Sequence, residues 1–258
     1  MSYFEENTKA LSLKSLGLFL SESDIKPVAE RYLYKTNTSW MAENIEKKAP
    51  KGEVRFSITL SQEQKEAKSQ ILLHPYNFIL GKAGSGKTLT AIQIGLDQFF
   101  KREVNKIVIT RPTVATEQNG YLPGGLKEKM EPWLVPVMDN LSKVYNKPNI
   151  TEKMILENQI EIVPLSYFRG RTFDNAVCIV DEFQNLTSEQ LAMCIGRLGK
   201  NSTMMFCGDP DQVDLRWDRE SAVANMEKLR KSQYVYFAEL TENHRHPALK
   251  EVLELLYK

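Results

Sequence analysis

Two hydrophobic patterns alternate along most of this chain. Short apolar runs at Asn77–Leu80, Lys106–Thr110, Ile160–Val163, Ala176–Val180, Thr203–Cys207 and Tyr234–Glu239 predict strands. Between and around them, apolar positions recur every three or four residues in Gln62–Leu72, Lys87–Phe100, Leu126–Tyr145, Ser188–Leu198, Arg219–Lys231 and Pro247–Leu256, which predicts helices. Continuous rather than alternating apolar strands mean burial on both faces, so the pattern predicts an α/β domain with a mostly parallel sheet flanked by helices. Residues 1–55 read differently, as a helical N-terminal extension with apolar positions in Leu11–Leu20 and Ile25–Trp40. The polar stretch Lys47–Gly52 marks the boundary, leaving 56–258 as the α/β domain.

Composition narrows the class. No apolar run approaches the roughly 18 residues of a membrane span, and the start, Met1-Ser-Tyr-Phe-Glu-Glu, lacks the basic and apolar regions of a secretory leader. A soluble, cytoplasmic protein is expected. Cys178, Cys194 and Cys207 lie in apolar surroundings without Cys-x-x-Cys spacing, so they read as buried hydrophobes rather than metal or redox groups. A net charge of +1 over 258 residues neither invites nor excludes nucleic acid.

The chemistry begins at Gly81-Lys-Ala-Gly-Ser-Gly-Lys-Thr88, a G-x-x-x-x-G-K-T loop between a predicted strand and a predicted helix. Such a loop wraps phosphate oxygens with backbone N–H groups and aims a helix N-terminus at them. Gly81, Lys82, Ala83, Gly84, Ser85, Gly86, Lys87, Thr88 and Leu89 are therefore expected to cradle the nucleotide. Lys87 would reach the β- and γ-phosphates of ATP, and Thr88 would ligate Mg²⁺.

A second apolar strand, Ala176–Val180, runs directly into Asp181-Glu182. Ligands bind at the carboxyl ends of strands in open α/β sheets, so Asp181 suits the Mg²⁺ shell and Glu182 suits a general base. A carboxylate that polarises water favours hydrolysis over small-molecule phosphorylation. A third strand end, Gly208-Asp-Pro-Asp-Gln212, places Gln212 where an amide can bond both γ-phosphate and water. Arg111, Arg169 and Arg171 are candidates for nucleic-acid phosphate or for a nucleotide across an interface.

In order along the chain, Gly81–Thr88, Arg111-Pro112, Gly120–Lys129, Arg169-Gly-Arg-Thr-Phe173, Asp181-Glu182, Gly208–Gln212 and Arg245-His-Pro247 together resemble the PhoH-like, phosphate-starvation-inducible ATPases. The likeness covers about residues 56 to 256, and Phe183 departs from it where alanine is more usual. It implies a RecA-like P-loop NTPase related to the motor core of superfamily 1 helicases. It further implies that Gln64, in Leu60-Ser-Gln-Glu-Gln64, reads adenine, although the same residues also form a helix cap. It implies an ATP-dependent motor or switch on single-stranded nucleic acid, RNA more than DNA, with Tyr121, Lys127, Lys129, Trp133, Tyr167 and Phe173 beside the arginines. Arg245 in Leu240–Pro247 resembles the helicase segment that touches the γ-phosphate and is favoured over Arg171 as the arginine finger. Acting in trans, it would require head-to-tail contacts, for which a ring hexamer is the expectation. The alternative from another class is an ATP-regulated assembly protein that contacts protein partners through residues 1–50.

Overall fold

The computed structural model describes residues 54–112, 131–215 and 221–246, together with Ala248 and Leu255. The N-terminal extension over residues 1–53, the Gly120–Lys129 segment, the Trp133 side chain and most of the predicted Pro247–Leu256 helix lie outside the described residues. So do Tyr121, Lys127 and Lys129.

The elements in chain order are α1 (Gln62–Ile71), β1 (Tyr76–Gly81), α2 (Lys87–Phe100), β2 (Lys106–Thr110), α3 (Glu131–Val144), α4 (Pro148–Leu156), β3 (Ile160–Ile162), β4 (Ala176–Asp181), α5 (Ser188–Ile195), β5 (Thr203–Gly208), α6 (Met226–Leu229) and β6 (Val235–Leu240). The six strands form one parallel sheet in the order β3-β2-β4-β5-β1-β6. Successive strand residues point to opposite faces, and both faces are covered. On one face Ile79, Ile107, Ile109, Val177, Ile179, Met205 and Cys207 pack against Ala67 and Ile71 of α1, Ile92 and Leu96 of α2, and Val137 and Leu141 of α3. On the other, Phe78, Val108, Cys178, Val180, Met204 and Phe206 meet Leu191 and Cys194 of α5 and Ala222 and Met226.

This second face contains an aromatic stack. Phe78 lies parallel to Phe206 at 4.7 Å and to Phe237 at 4.8 Å, and its ring meets Phe183 edge-on at 5.2 Å. Phe183 is fully buried there. It anchors the turn after β4 from below.

Three elements differ from expectation. Helix α4 is unpredicted, because it is short, starts on Pro148 and buries only Thr151 and Met154. Helix α5 stops at Ile195 rather than Leu198, since Phe173 N–H takes the Arg197 carbonyl at 2.9 Å and draws that segment beside β4. The long helix expected over Arg219–Lys231 is instead a 3₁₀ turn, Ala222–Asn225, and the single turn α6. There the Ser221 hydroxyl caps Val223 N–H and donates to the Gln184 carbonyl, so tertiary ties override helical periodicity. No helix among the described residues is long and apolar enough to cross a membrane.

Candidate nucleotide site

Parallel pairing brings the strand ends side by side. In register, Gly81 pairs Leu240, Leu80 pairs Gly208, Asp181 pairs Cys207 and Thr110 pairs Val180. One sheet edge thus gathers the glycine loop, the acidic pair, the Gly208–Gln212 turn, Arg111 and the segment after β6.

Residues Gly81–Gly86 make the loop between β1 and α2, and Lys87, Thr88 and Leu89 form the first turn of α2. Gly84 has φ +95°, a conformation side chains rarely adopt, and a Cβ there would come within 2.8 Å of Arg245 Cγ and Asn243 Oδ1. Lys87 Nζ curls over the loop, donating to the Gly81 carbonyl at 2.6 Å and the Lys82 carbonyl at 3.1 Å.

The Thr88 hydroxyl donates to Asp181 Oδ1 at 2.6 Å. Burial pushes the Asp181 carboxyl above the usual carboxylate range; the Thr88 bond opposes this, and neighbouring Glu182 adds to it. The Glu182 backbone N–H and the Arg111 charge also favour the carboxylate, but burial outweighs them. Two hard oxygens side by side fit a divalent cation such as Mg²⁺. No cluster of three or more His, Cys, Asp or Glu among the described residues could hold a metal.

At Glu182 the backbone turns into the left-handed region, φ 53° and ψ 45°, a strain of about 1–3 kcal/mol for a residue with a side chain. The turn ends β4 and starts the 3₁₀ segment Phe183–Asn185. Arg111 Nη2 lies 3.4 Å from Glu182 Oε1, and Gln184 Nε2 donates to Oε2 at 2.7 Å. Gln212 itself is exposed, with its N–H closing the turn on the Asp209 carbonyl at 3.0 Å. The link from the acidic pair to this turn is made by Gln184, whose Oε1 accepts from Asp209 N–H at 3.3 Å. The sequence did not single out Gln184, because among Glu182, Phe183 and Asn185 a further amide carries no local signal.

Gln64 forms the helix cap and also reaches the glycine loop. It completes a capping box with Ser61, and its Nε2 donates to the Ser85 carbonyl at 3.2 Å. Its neighbour Glu63, also unforeseen, accepts from Thr241 N–H at 2.8 Å, the Thr241 hydroxyl at 2.9 Å and Glu242 N–H at 3.2 Å. Burial disfavours its charge, but these donors outweigh it and hold the Glu63 carboxyl below the usual range. The segment so fixed continues across the loop. His244 N–H donates to the Gly84 carbonyl at 3.0 Å, and the Arg245 stem lies over Gly84.

The Arg245 stem therefore lies against the glycine loop of its own chain. Arg171 is not brought to the site. Its guanidinium bonds Glu161 Oε2 at 2.7 Å and covers the Phe173 ring at 4.7 Å, beside edge strand β3. Four strand spacings separate β3 from β1, about 19 Å at roughly 4.8 Å each. Burial likewise removes Phe173 from the surfaces on which a base can stack, while Tyr167 and Arg169 are exposed.

A strand, glycine loop and helix facing an acidic strand end on a parallel six-stranded sheet define a P-loop NTPase of RecA-like fold. The large terminase of the thermophilic bacteriophage D6E shares the fold at 12% identity and TM-score 0.51, covering 78% of this chain and 51% of that one. The chain belongs to the PhoH family, whose profile, described as PhoH-like protein, matches residues 58–257. It is similar to the PhoH-like protein of Bacillus subtilis, 35% identical over 251 residues and covering 95% of this chain and 77% of that one. It also resembles the PhoH-like protein of Synechocystis, 36% identical over 211 residues, covering 80% of this chain and 63% of that one. Against Protein PhoH of Escherichia coli it is 40% identical over 140 residues, covering 54% of this chain and 40% of that one.

Proposed function

We propose that this protein hydrolyses ATP with Mg²⁺ and couples the cycle to single-stranded nucleic acid, RNA more than DNA. The observation that carries the chemistry is that one sheet edge holds Lys87, the Thr88–Asp181 pair and Glu182 together. Thr88 and Asp181 are the residues that would hold Mg²⁺. The cation, when bound, neutralises β- and γ-phosphate oxygens. Lys87 exchanges its two loop carbonyls for phosphate oxygens, and Gly81–Gly86 present N–H groups to them. Glu182 takes the proton of the attacking water, once Arg111 has turned from Oε1 to an anion. Arg245, above Gly84, adds charge at the γ-phosphate. Gln64, fixed on the Ser85 carbonyl, stands beside Gly86 as the adenine reader. Gln212 serves as the sensor when its exposed amide swings to the γ-phosphate.

The nucleic-acid part rests on the family resemblance, with exposed Arg169 and Tyr167 and half-exposed Arg111 as partners for phosphate and base. If Arg245 acts on its own loop, the reading holds for a single chain and does not require the ring hexamer that the resemblance implies.

The test is ATP turnover with and without Mg²⁺, single-stranded RNA and single-stranded DNA, with Lys87→Ala as the binding control. Mg²⁺-dependent turnover, raised by RNA and weakening steeply with salt, is the expected result. Turnover indifferent to every oligonucleotide would remove the nucleic-acid part and favour an assembly switch.

A further inference from the structure

We infer that Gln184 is a positioning residue for the base: its buried amide fixes one Glu182 oxygen, leaves the other for water, and joins both to the Asp209 turn. This rests on the ATPase reading above.

Gln184 is 1% exposed, and its side-chain amide is used at both ends. Nε2 donates to Glu182 Oε2 at 2.7 Å and Oε1 accepts from Asp209 N–H at 3.3 Å. Its own carbonyl is held by the Ser221 hydroxyl at 2.6 Å. The next residue repeats the tie, as Asn185 Nδ2 donates to Asp214 Oδ2 at 3.0 Å and Asp214 N–H donates to Asn185 Oδ1 at 2.8 Å. Space is reserved for this contact, because a Cβ at Gly208 would run into Gln184 Oε1 and come within 2.7 Å of Phe183.

The two oxygens of Glu182 are thus unequal. Oε2 sits on a short bond to a buried, immobile amide. Oε1 faces Arg111 across 3.4 Å, from a guanidinium about one third exposed. The Arg111 contact is long and solvated, so an anion displaces it readily, whereas the Gln184 contact persists. Oε1 is then the oxygen presented to water, and Gln184 sets its direction. A base misaimed by about 1 Å loses on the order of 10²-fold in rate. The same amide carries any displacement of the Asp209–Asp214 turn, which contains Gln212, to the base.

The test compares wild type with Gln184→Met and Gln184→Glu in steady-state ATP turnover, with nucleotide binding and thermal unfolding measured alongside. Gln184→Met keeps the volume and removes the donor; kcat should fall about 10- to 100-fold with KM for ATP nearly unchanged. Gln184→Glu keeps the acceptor for Asp209 N–H but sets a carboxylate against Glu182, so kcat should fall at least as far, again with KM for ATP nearly unchanged. A Met variant with wild-type kcat overturns the inference. Should the Met variant not fold, a Glu variant with wild-type kcat overturns it instead. Wild type without ATP turnover overturns the ATPase reading and this inference with it; an active wild type with unchanged variants overturns this inference alone.

Discussion

The Thr88 hydroxyl joins the first turn of α2 to the end of β4 by donating to Asp181 Oδ1 across 2.6 Å. Asp181 is a buried carboxylate whose charge the fold disfavours. Its folded pKa lies above the unfolded one, so its contribution to stability is full below the unfolded value, about 3.9, and is lost as pH rises through the folded value. Asp181→Asn should therefore melt higher than wild type in the absence of nucleotide. The gap should be absent in acid and open as pH rises above about 3.9. Each kcal/mol is worth about 2–4 °C in a domain of this size. The same variant should lose Mg²⁺-dependent turnover. Thermal unfolding against pH, run beside an ATPase assay, checks both.

His244 N–H and the Arg245 stem both rest on Gly84 of the same chain. Arg245→Ala should cost about 10³-fold or more in turnover, the usual worth of a charge on the γ-phosphate. Mixing Arg245→Ala with Glu182→Gln chains should restore nothing, since each site then lacks one group or the other. Recovery on mixing, measured as ATP turnover against mixing ratio, would show that the finger crosses to a neighbour.

The cysteines should be chemically silent. Cys178, Cys194 and Cys207 are buried, and burial pushes the Cys194 thiol up to about 12 and the Cys178 and Cys207 thiols well above the usual range. Thiol-reactive dye at mildly alkaline pH should label none of them until denaturant is added, and turnover should survive the treatment. Labelling of the native protein with loss of activity would contradict this.

Much of the fold was legible because strand and helix periodicities are written locally. The P-loop and Asp181-Glu182 were legible because their chemistry needs adjacent residues. What stayed hidden depends on distant partners. Gln184 matters only because Asp209 N–H meets it, and Glu63 only because Thr241 and Glu242 do. Arg171 read as a candidate finger since its Glu161 partner, on a strand of three residues, left no local trace. That Arg245 lies on Gly84 was not legible, because it depends on Glu63 holding Thr241 and Glu242 and on His244 N–H meeting the Gly84 carbonyl. The helix expected over Arg219–Lys231 failed for the same reason: Ser221 is claimed by Gln184.

The account stands most directly on Glu182 as the base. ATP turnover of Glu182→Gln, measured beside ATP binding in the same preparation, should fall about 10²- to 10⁴-fold with affinity preserved. A Glu182→Gln protein that binds ATP and hydrolyses it at the wild-type rate would contradict it.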